Sequence, residues 1–275
     1  MVSKLISATK MIACVVFLMI LAGCERVPYV PKMELDEVRV IADIAYEANP
    51  HFGYTVFISE NGEYVPYLVL TNNYNGHTLV LRKYLLDELM AYYPNPTGGG
   101  GYAAYYRDSL LDRFLNDEFF YVFSELLQSM IIESSIEITA QHSMRALRNN
   151  EMRIIERRLF LLSRYETGGR FNPSIDSFMK EGMRLSYFSS SERRIGFRPC
   201  GTISAWWIRT PSTNSRTAEP SIIGIRGGNS GIHVYTSLGV TRLGVRPAFC
   251  LPNDTPVRLG EFNGEYVFFI DYSAL

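Results

Sequence analysis

The apolar and polar positions of this chain change period several times, and each change predicts an element. Met11 to Leu21 is an unbroken apolar run with no polar position at a 3.6-residue period, preceded by Lys4 and Lys10. Residues 34–48 then place Leu35, Val38, Val40, Ile41, Ile44 and Ala45 at helical spacing. After His51 the period shortens. Tyr54–Ser59, Tyr64–Thr71 and His77–Tyr84 are rich in β-branched and aromatic residues and are separated by Asn61-Gly62 and by Asn72–Gly76, so an antiparallel meander is predicted. Two prolines and four successive glycines make 94–101 a surface loop. Helices are predicted over 107–117 and 119–130, a strand over Arg157–Arg164 and a helix over Ser174–Met183. Short strands among Gly, Ser, Asn and Pro follow over 203–251 and 266–271. This order of strands, helices and irregular strands predicts an α+β fold.

The first apolar run is about half the roughly 20 residues that a spanning helix needs. Glu25 and Arg26 follow it at once, which matches the layout of a secretory signal rather than of a membrane span. Its last four residues, Leu21-Ala22-Gly23-Cys24, resemble the lipobox of bacterial lipoproteins. That resemblance implies a signal peptide over 1–23, removed to leave Cys24 carrying a diacylglycerol. Residues 24–33, with Pro28 and Pro31, then read as a lipidated N-terminus and short tether, and 34–275 as one α+β globular domain. Acyl chains contribute about 0.8 kcal/mol per buried CH₂, so two or three of them hold a protein on a bilayer without a spanning helix. The expected location is the membrane or cell envelope, facing outside the cytoplasm. Glu25 in place of an aspartate after the cysteine favours an outer or outward-facing position.

Composition narrows the partners. Of 275 residues 47% are hydrophobic, enough to fill a core, and the formal charge is −1. Loss of two lysines with the signal makes the remainder more acidic, and basic residues are interspersed with acidic ones, so a nucleic-acid partner is not expected. His51, His77, His142 and His233 are scattered and no CxxC or HExxH occurs, so neither a metal nor another cofactor is expected. Cys200 and Cys250 remain beyond Cys24. They can close a loop of about 50 residues, contributing 3–4 kcal/mol on the loop-entropy model, or stay as two buried thiols.

Four segments carry a second resemblance: Ser109–Asn116, Arg158–Ser163, Ala205–Ser212 (AWWIRTPS) and Gly244–Phe249 (GVRPAF). Their order and spacing over about 64–251 resemble the family called domain of unknown function 6273, and the last two segments are similar to C-type-lectin-like domains. The latter include formylglycine-generating enzymes and variable proteins of diversity-generating retroelements. The resemblance implies small antiparallel sheets, two or three helices and long irregular loops. Glu219-Pro220-Ser221 matches a lectin calcium loop only in part and no Trp-Asn-Asp segment is present, so calcium is not expected. The closely spaced cysteine pair of the formylglycine-generating enzymes is also missing, because Cys200 and Cys250 stand 50 positions apart.

Adjacent on a strand, Trp206 and Trp207 face opposite sides, one into the core and the other over a second face or into a groove. Arg209 and Arg246 each read either as a planar fork tying loop carbonyls and a carboxylate together or as a group offered to a ligand. The adaptable polar and aromatic mix over 211–240, with Arg226, His233 and Tyr235, reads as a recognition face or as an ordinary irregular loop. Trp207, Arg209, Arg226, His233 and Tyr235 are therefore the candidate ligand-facing residues. No Gly-x-Ser-x-Gly elbow or phosphate loop occurs, so the expected function is a non-catalytic binding module for a glycan or protein of the envelope. The alternatives are a structural envelope protein and an enzyme acting on envelope material. Replacing Cys24 with serine is expected to abolish incorporation of labelled fatty acid and to leave soluble or unprocessed protein. Label retained on the serine variant would overturn the lipid assignment.

Overall fold

Alternating burial along Thr55–Glu60 (β1), with Val56, Ile58 and Glu60 inward, marks a strand with one face toward the core. Glu63–Tyr74 (β2) and His77–Arg82 (β3) are instead buried continuously from Tyr67 to Thr71 and from Thr78 to Arg82, as strands covered on both faces are. The turns between them are Asn61-Gly62 and Asn75-Gly76, whose positive φ angles (49° and 89°, 52° and 83°) are those of a tight hairpin turn that follows the strand twist. The meander is thus as predicted, with β2 running on to Tyr74 and narrowing the second turn to two residues. The computed structural model describes residues 39–48, 50, 53–93, 105–140, 151–169, 180–212, 219–227 and 241–274.

Further strands are Ser134–Thr139 (β4), Met152–Arg157 (β5), Leu159–Phe160 (β6), Gly196–Phe197 (β7), Ile203–Ser204 (β8), Trp206–Ser212 (β9), Glu219–Ile223 (β10), Ala248–Leu251 (β11), Val257–Phe262 (β12) and Glu265–Ile270 (β13). Among the described residues β1–β3 and four of these strands form one seven-stranded sheet in the order β12-β13-β1-β2-β3-β11-β6. All its pairings are antiparallel except β1 with β13. β4–β5, β7–β8 and β9–β10 are separate antiparallel pairs. On one face of the sheet Tyr67 and Phe249 meet Phe123, with ring centroids 5.3–6.4 Å apart. The chain around Phe119–Met130 therefore covers that face. On the other, Leu68, Leu81, Ala248 and Phe160 stand in cross-strand register. Val38–Leu275 forms one compact unit.

The helical expectations are corrected. Within 34–48 the described residues hold only a 3₁₀ turn, Ile41–Ile44. Tertiary contacts take its backbone: Ile41 N–H donates to the Thr255 carbonyl (2.8 Å) and Tyr46 N–H to that of Val69 (2.9 Å), leaving fewer donors for a longer helix. The stretch 107–130 breaks into a short α-helix, Leu110–Arg113 (α1), a π turn, Phe114–Glu118, a 3₁₀ turn, Phe119–Val122, and a second α-helix, Glu125–Met130 (α2). Ser109 and Ser124 cap α1 and α2, accepting from Asp112 N–H (3.1 Å) and Leu127 N–H (3.3 Å). The π turn carries Asn116, whose amide exchanges two hydrogen bonds with the Leu159 backbone of β6. The single strand predicted over Arg157–Arg164 is the end of β5 and the short β6. Residues 170–179, most of the helix expected at Ser174–Met183, lie outside the described residues, and Lys180–Met183 is not helical.

Candidate functional site

Neither tryptophan of the AWWIRTPS segment lines a groove. Trp206 and Trp207 do point to opposite sides of β9, but both are 0% exposed. Trp206 packs with Leu85, Ile208 and Ile223 and donates from Nε1 to the Arg194 carbonyl (2.9 Å). Gly196 admits its ring, because a Cβ there would lie 2.7 Å from Trp206 Cδ1. Trp207 donates to the Met90 carbonyl (2.8 Å) and meets Tyr92 edge-on at 5.4 Å. The second segment lies alongside, since Trp207 N–H donates to the Gly244 carbonyl (3.0 Å). With both indole N–H groups satisfied indoors, the two rings are core.

Arg209, also 0% exposed, is likewise withdrawn from solvent. It grips Glu166 through two parallel hydrogen bonds, Nη1 to Oε2 and Nη2 to Oε1, both 2.7 Å. Its Nε donates to the Glu137 carbonyl (3.0 Å) and Nη1 to that of Leu161 (2.8 Å). Glu166 Oε1 accepts from the Tyr74 hydroxyl (2.6 Å), and Oε2 from Ser163 N–H (2.7 Å). Beside this pair Glu181 is buried as well. It accepts from Thr139 N–H (2.7 Å), the Thr139 hydroxyl (2.6 Å) and the Thr210 hydroxyl (2.5 Å). Burial raises its pKa, opposed by the charge of Arg209 and by these hydrogen bonds. Gly182 closes over the pair at φ +76°, a conformation suited to glycine, and a Cβ there would sit 2.1 Å from Glu166 Oε1.

Of the other candidates, Arg226 is exposed on the turn after β10. His233, Tyr235 and Cys24 lie outside the described residues; of the three ligand-facing candidates that are described, Trp207 and Arg209 are buried and only Arg226 is exposed. Cys200 and Cys250 are free thiols. Cys200 is exposed on the β7–β8 turn, where a hydrogen bond from Thr202 lowers its pKa. Cys250 is buried on β11, between β3 and the edge strand β6 of the large sheet, and burial pushes its pKa up to about 12. With Cys200 exposed at a hairpin tip and Cys250 buried within the sheet, the two are not bonded; the disulfide reading is not met, and of the reading as two buried thiols only Cys250 fits.

Two clefts open around this frame. One, of about 460 Å³, is bounded by charged groups including Asp108, Arg113, Glu133 and Arg158, with Arg157 held by Asp112 at 2.7 Å. The other, about 380 Å³, lies against Tyr74, Ser135, Ile154, Gly182 and Met183. Asn75 Nδ2 donates across its edge to the Ser135 carbonyl (2.7 Å), and Gly182 N–H donates to Glu137 Oε2 (2.9 Å). Ile154 is 66% exposed on its wall. The cleft therefore joins a polar edge to an apolar wall beside the Arg209–Glu166 pair. Glu166, Glu181 and Tyr74 escaped the sequence reading. The available signal was Arg209 directly after the apolar run Trp206-Trp207-Ile208, which demands an anion without saying which.

Small sheets, short helices and long connections built around buried charge define an α+β domain. The model of the family described as domain of unknown function (DUF6273) matches residues 75–253, and the chain belongs to that family. The match starts at the β2–β3 turn and leaves out β1, β2, β12 and β13, which complete the sheet. No curated protein and no solved structure matches the chain.

Glu166→Gln is expected to cost about 3–5 kcal/mol in urea denaturation, because it strands a buried guanidinium. Adding Arg209→Met is expected to recover much of that loss; a single-variant cost no larger than that of a surface change would contradict the pairing. In the chain lacking residues 1–24, a maleimide at neutral pH is expected to label Cys200 and to reach Cys250 only on unfolding. Since the folded pKa of Cys250 exceeds that of an unfolded thiol, its contribution to stability is full at neutral pH and is lost as pH rises toward 12. Equal labelling of both thiols in the native chain would refute this.

Proposed function

We propose that this chain is an exported lipoprotein, anchored through acylated Cys24, whose globular domain is a non-catalytic binding module on the outer side of a cell membrane. The observation that carries the reading is the 380 Å³ cleft beside the Arg209–Glu166 pair. Its polar edge and aliphatic wall suit a ligand that offers hydroxyl or amide groups together with apolar surface, as a glycan or an envelope protein does. The buried acids beside it support a binding rather than a catalytic role. Glu166 and Glu181 have their oxygens occupied by Arg209, Tyr74, Ser163, Thr139 and Thr210, so these carboxylates are engaged in holding the frame.

The same frame supports a C-type-lectin-like architecture. The Trp206–Ser212 strand and the Gly244–Phe249 segment that carry the resemblance lie side by side, although about thirty residues separate them along the chain. In such folds a rigid core presents variable connections as the recognition surface. The test is an array of glycans and purified envelope proteins probed with the chain from residue 25 to 275. Specific hits that weaken at least tenfold in Ile154→Asp are expected, and an array without hits would end the binding-module reading.

A further inference from the structure

Arg246, the arginine of the GVRPAF segment, is 2% exposed, and among the described residues no carboxylate pairs with it. Nε donates to the Arg82 carbonyl (2.8 Å) and Nη2 to that of Lys83 (3.0 Å), while the guanidinium lies 5.5 Å from the Trp206 ring centre. Nη1 is buried without a hydrogen-bond partner. The contrast with two other buried arginines is direct: Arg209 holds Glu166, and Arg82 holds Glu60, in each case through two hydrogen bonds. A desolvated guanidinium without an anion is the costly arrangement, and burial holds the pKa of Arg246 down to about 10.

The group nearest to compensating it is the Tyr187 hydroxyl, which favours the charge without reaching Nη1 in ordinary hydrogen-bond geometry. Tyr187 opens onto a cluster that leads to the surface. The rings of Tyr46, Tyr54 and Tyr187 meet edge to face at 5.2–5.6 Å. A second guanidinium, Arg193, lies 4.7 Å from the Tyr46 ring and 5.5 Å from that of Tyr187, and donates to the Tyr46 hydroxyl. Tyr187 is thus bordered by Arg193 over its ring on one side, by the rings of Tyr46 and Tyr54, and by the Arg246 guanidinium that its hydroxyl favours. Arg193, Tyr46 and Tyr54 are half-buried, whereas Tyr187 and Arg246 are buried. The nearby Glu47 is engaged elsewhere, accepting from the Ser186 N–H (3.2 Å) and hydroxyl (3.1 Å).

We propose that this cluster is a binding site for a small oxyanion group, the carboxylate, phosphate or sulfate of a ligand, held between Arg193 at the rim and Arg246 beneath it. The planar forks of the two arginines suit such groups, and the tyrosine hydroxyls donate to the remaining oxygens. The site uses none of the residues of the 380 Å³ cleft and does not depend on the lipid anchor, so it stands or falls separately from the function proposed above. It also gives the buried Arg246 Nη1 an acceptor.

The test is isothermal titration of the full chain in detergent with sodium phosphate, sodium sulfate and sodium acetate, at constant ionic strength against chloride. Saturable binding of at least one is expected, and the strongest of the three separates a phosphoryl or sulfuryl ligand from a carboxylate. Arg193→Gln, at the rim and outside the core, is expected to weaken that binding roughly tenfold, and Tyr54→Phe to weaken it by a smaller factor while leaving the urea midpoint unchanged. Arg246→Gln adds a third measurement where it folds. No saturable binding of any of the three anions above chloride, or affinity unchanged in Arg193→Gln, would overturn the proposal.

Discussion

The buried pair of Arg209 and Glu166 joins parts of the chain that are far apart in sequence. Tyr74 at the end of β2, Glu137 in β4, the stretch from Leu161 to Glu166 and β9 all place a hydrogen bond on it. Glu181 extends the group to Thr139 and Thr210. Two charges removed from water recover their desolvation only when their geometry is good and their other donors and acceptors are satisfied. That condition constrains the surroundings tightly. Gly182 must lack a side chain, Ser163 must turn its amide inward, and Tyr74 must remain within reach at 3% exposure.

Around this pair the domain divides its work between two kinds of packing. The large sheet is held by apolar contact, with Tyr67, Phe249 and Phe123 on one face and Leu68, Leu81, Ala248 and Phe160 in register on the other. The irregular half is held by arginines that bind backbone carbonyls and carboxylates, as Arg82, Arg194, Arg209 and Arg246 do. Segments with few regular ladders leave many carbonyls without strand partners, and long planar donors satisfy several of them at once. Among the described residues Arg246 differs from Arg82 and Arg209 in binding carbonyls but no carboxylate.

The meander was legible in the chain because its signals are local. Asn-Gly at 61–62 and 75–76 and the alternation along β1 need no knowledge of the rest of the molecule. The hairpin at Asn263-Gly264 and the alternating burial of β4 belong to the same class and were equally available. The helices were overestimated, since apolar spacing at 34–48 and 107–130 reports burial and does not determine which backbone donors the sheet and neighbouring loops will take. The two adjacent tryptophans show a similar limit. Strand geometry puts them on opposite sides, but whether both sides are covered depends on Leu85, Met90 and Tyr92, more than a hundred positions away.

The sequence by itself determined the hairpins of the meander. It also located the segments around Trp206 and Arg246, because each is written in contiguous residues. Only the tertiary structure decided which acid answers Arg209, that Cys200 and Cys250 are not bonded, and that Arg246 meets no carboxylate among the described residues. Those outcomes depend on distances between segments 40 to 200 positions apart, and a buried charge chooses its partner by proximity and desolvation, which no local spacing encodes.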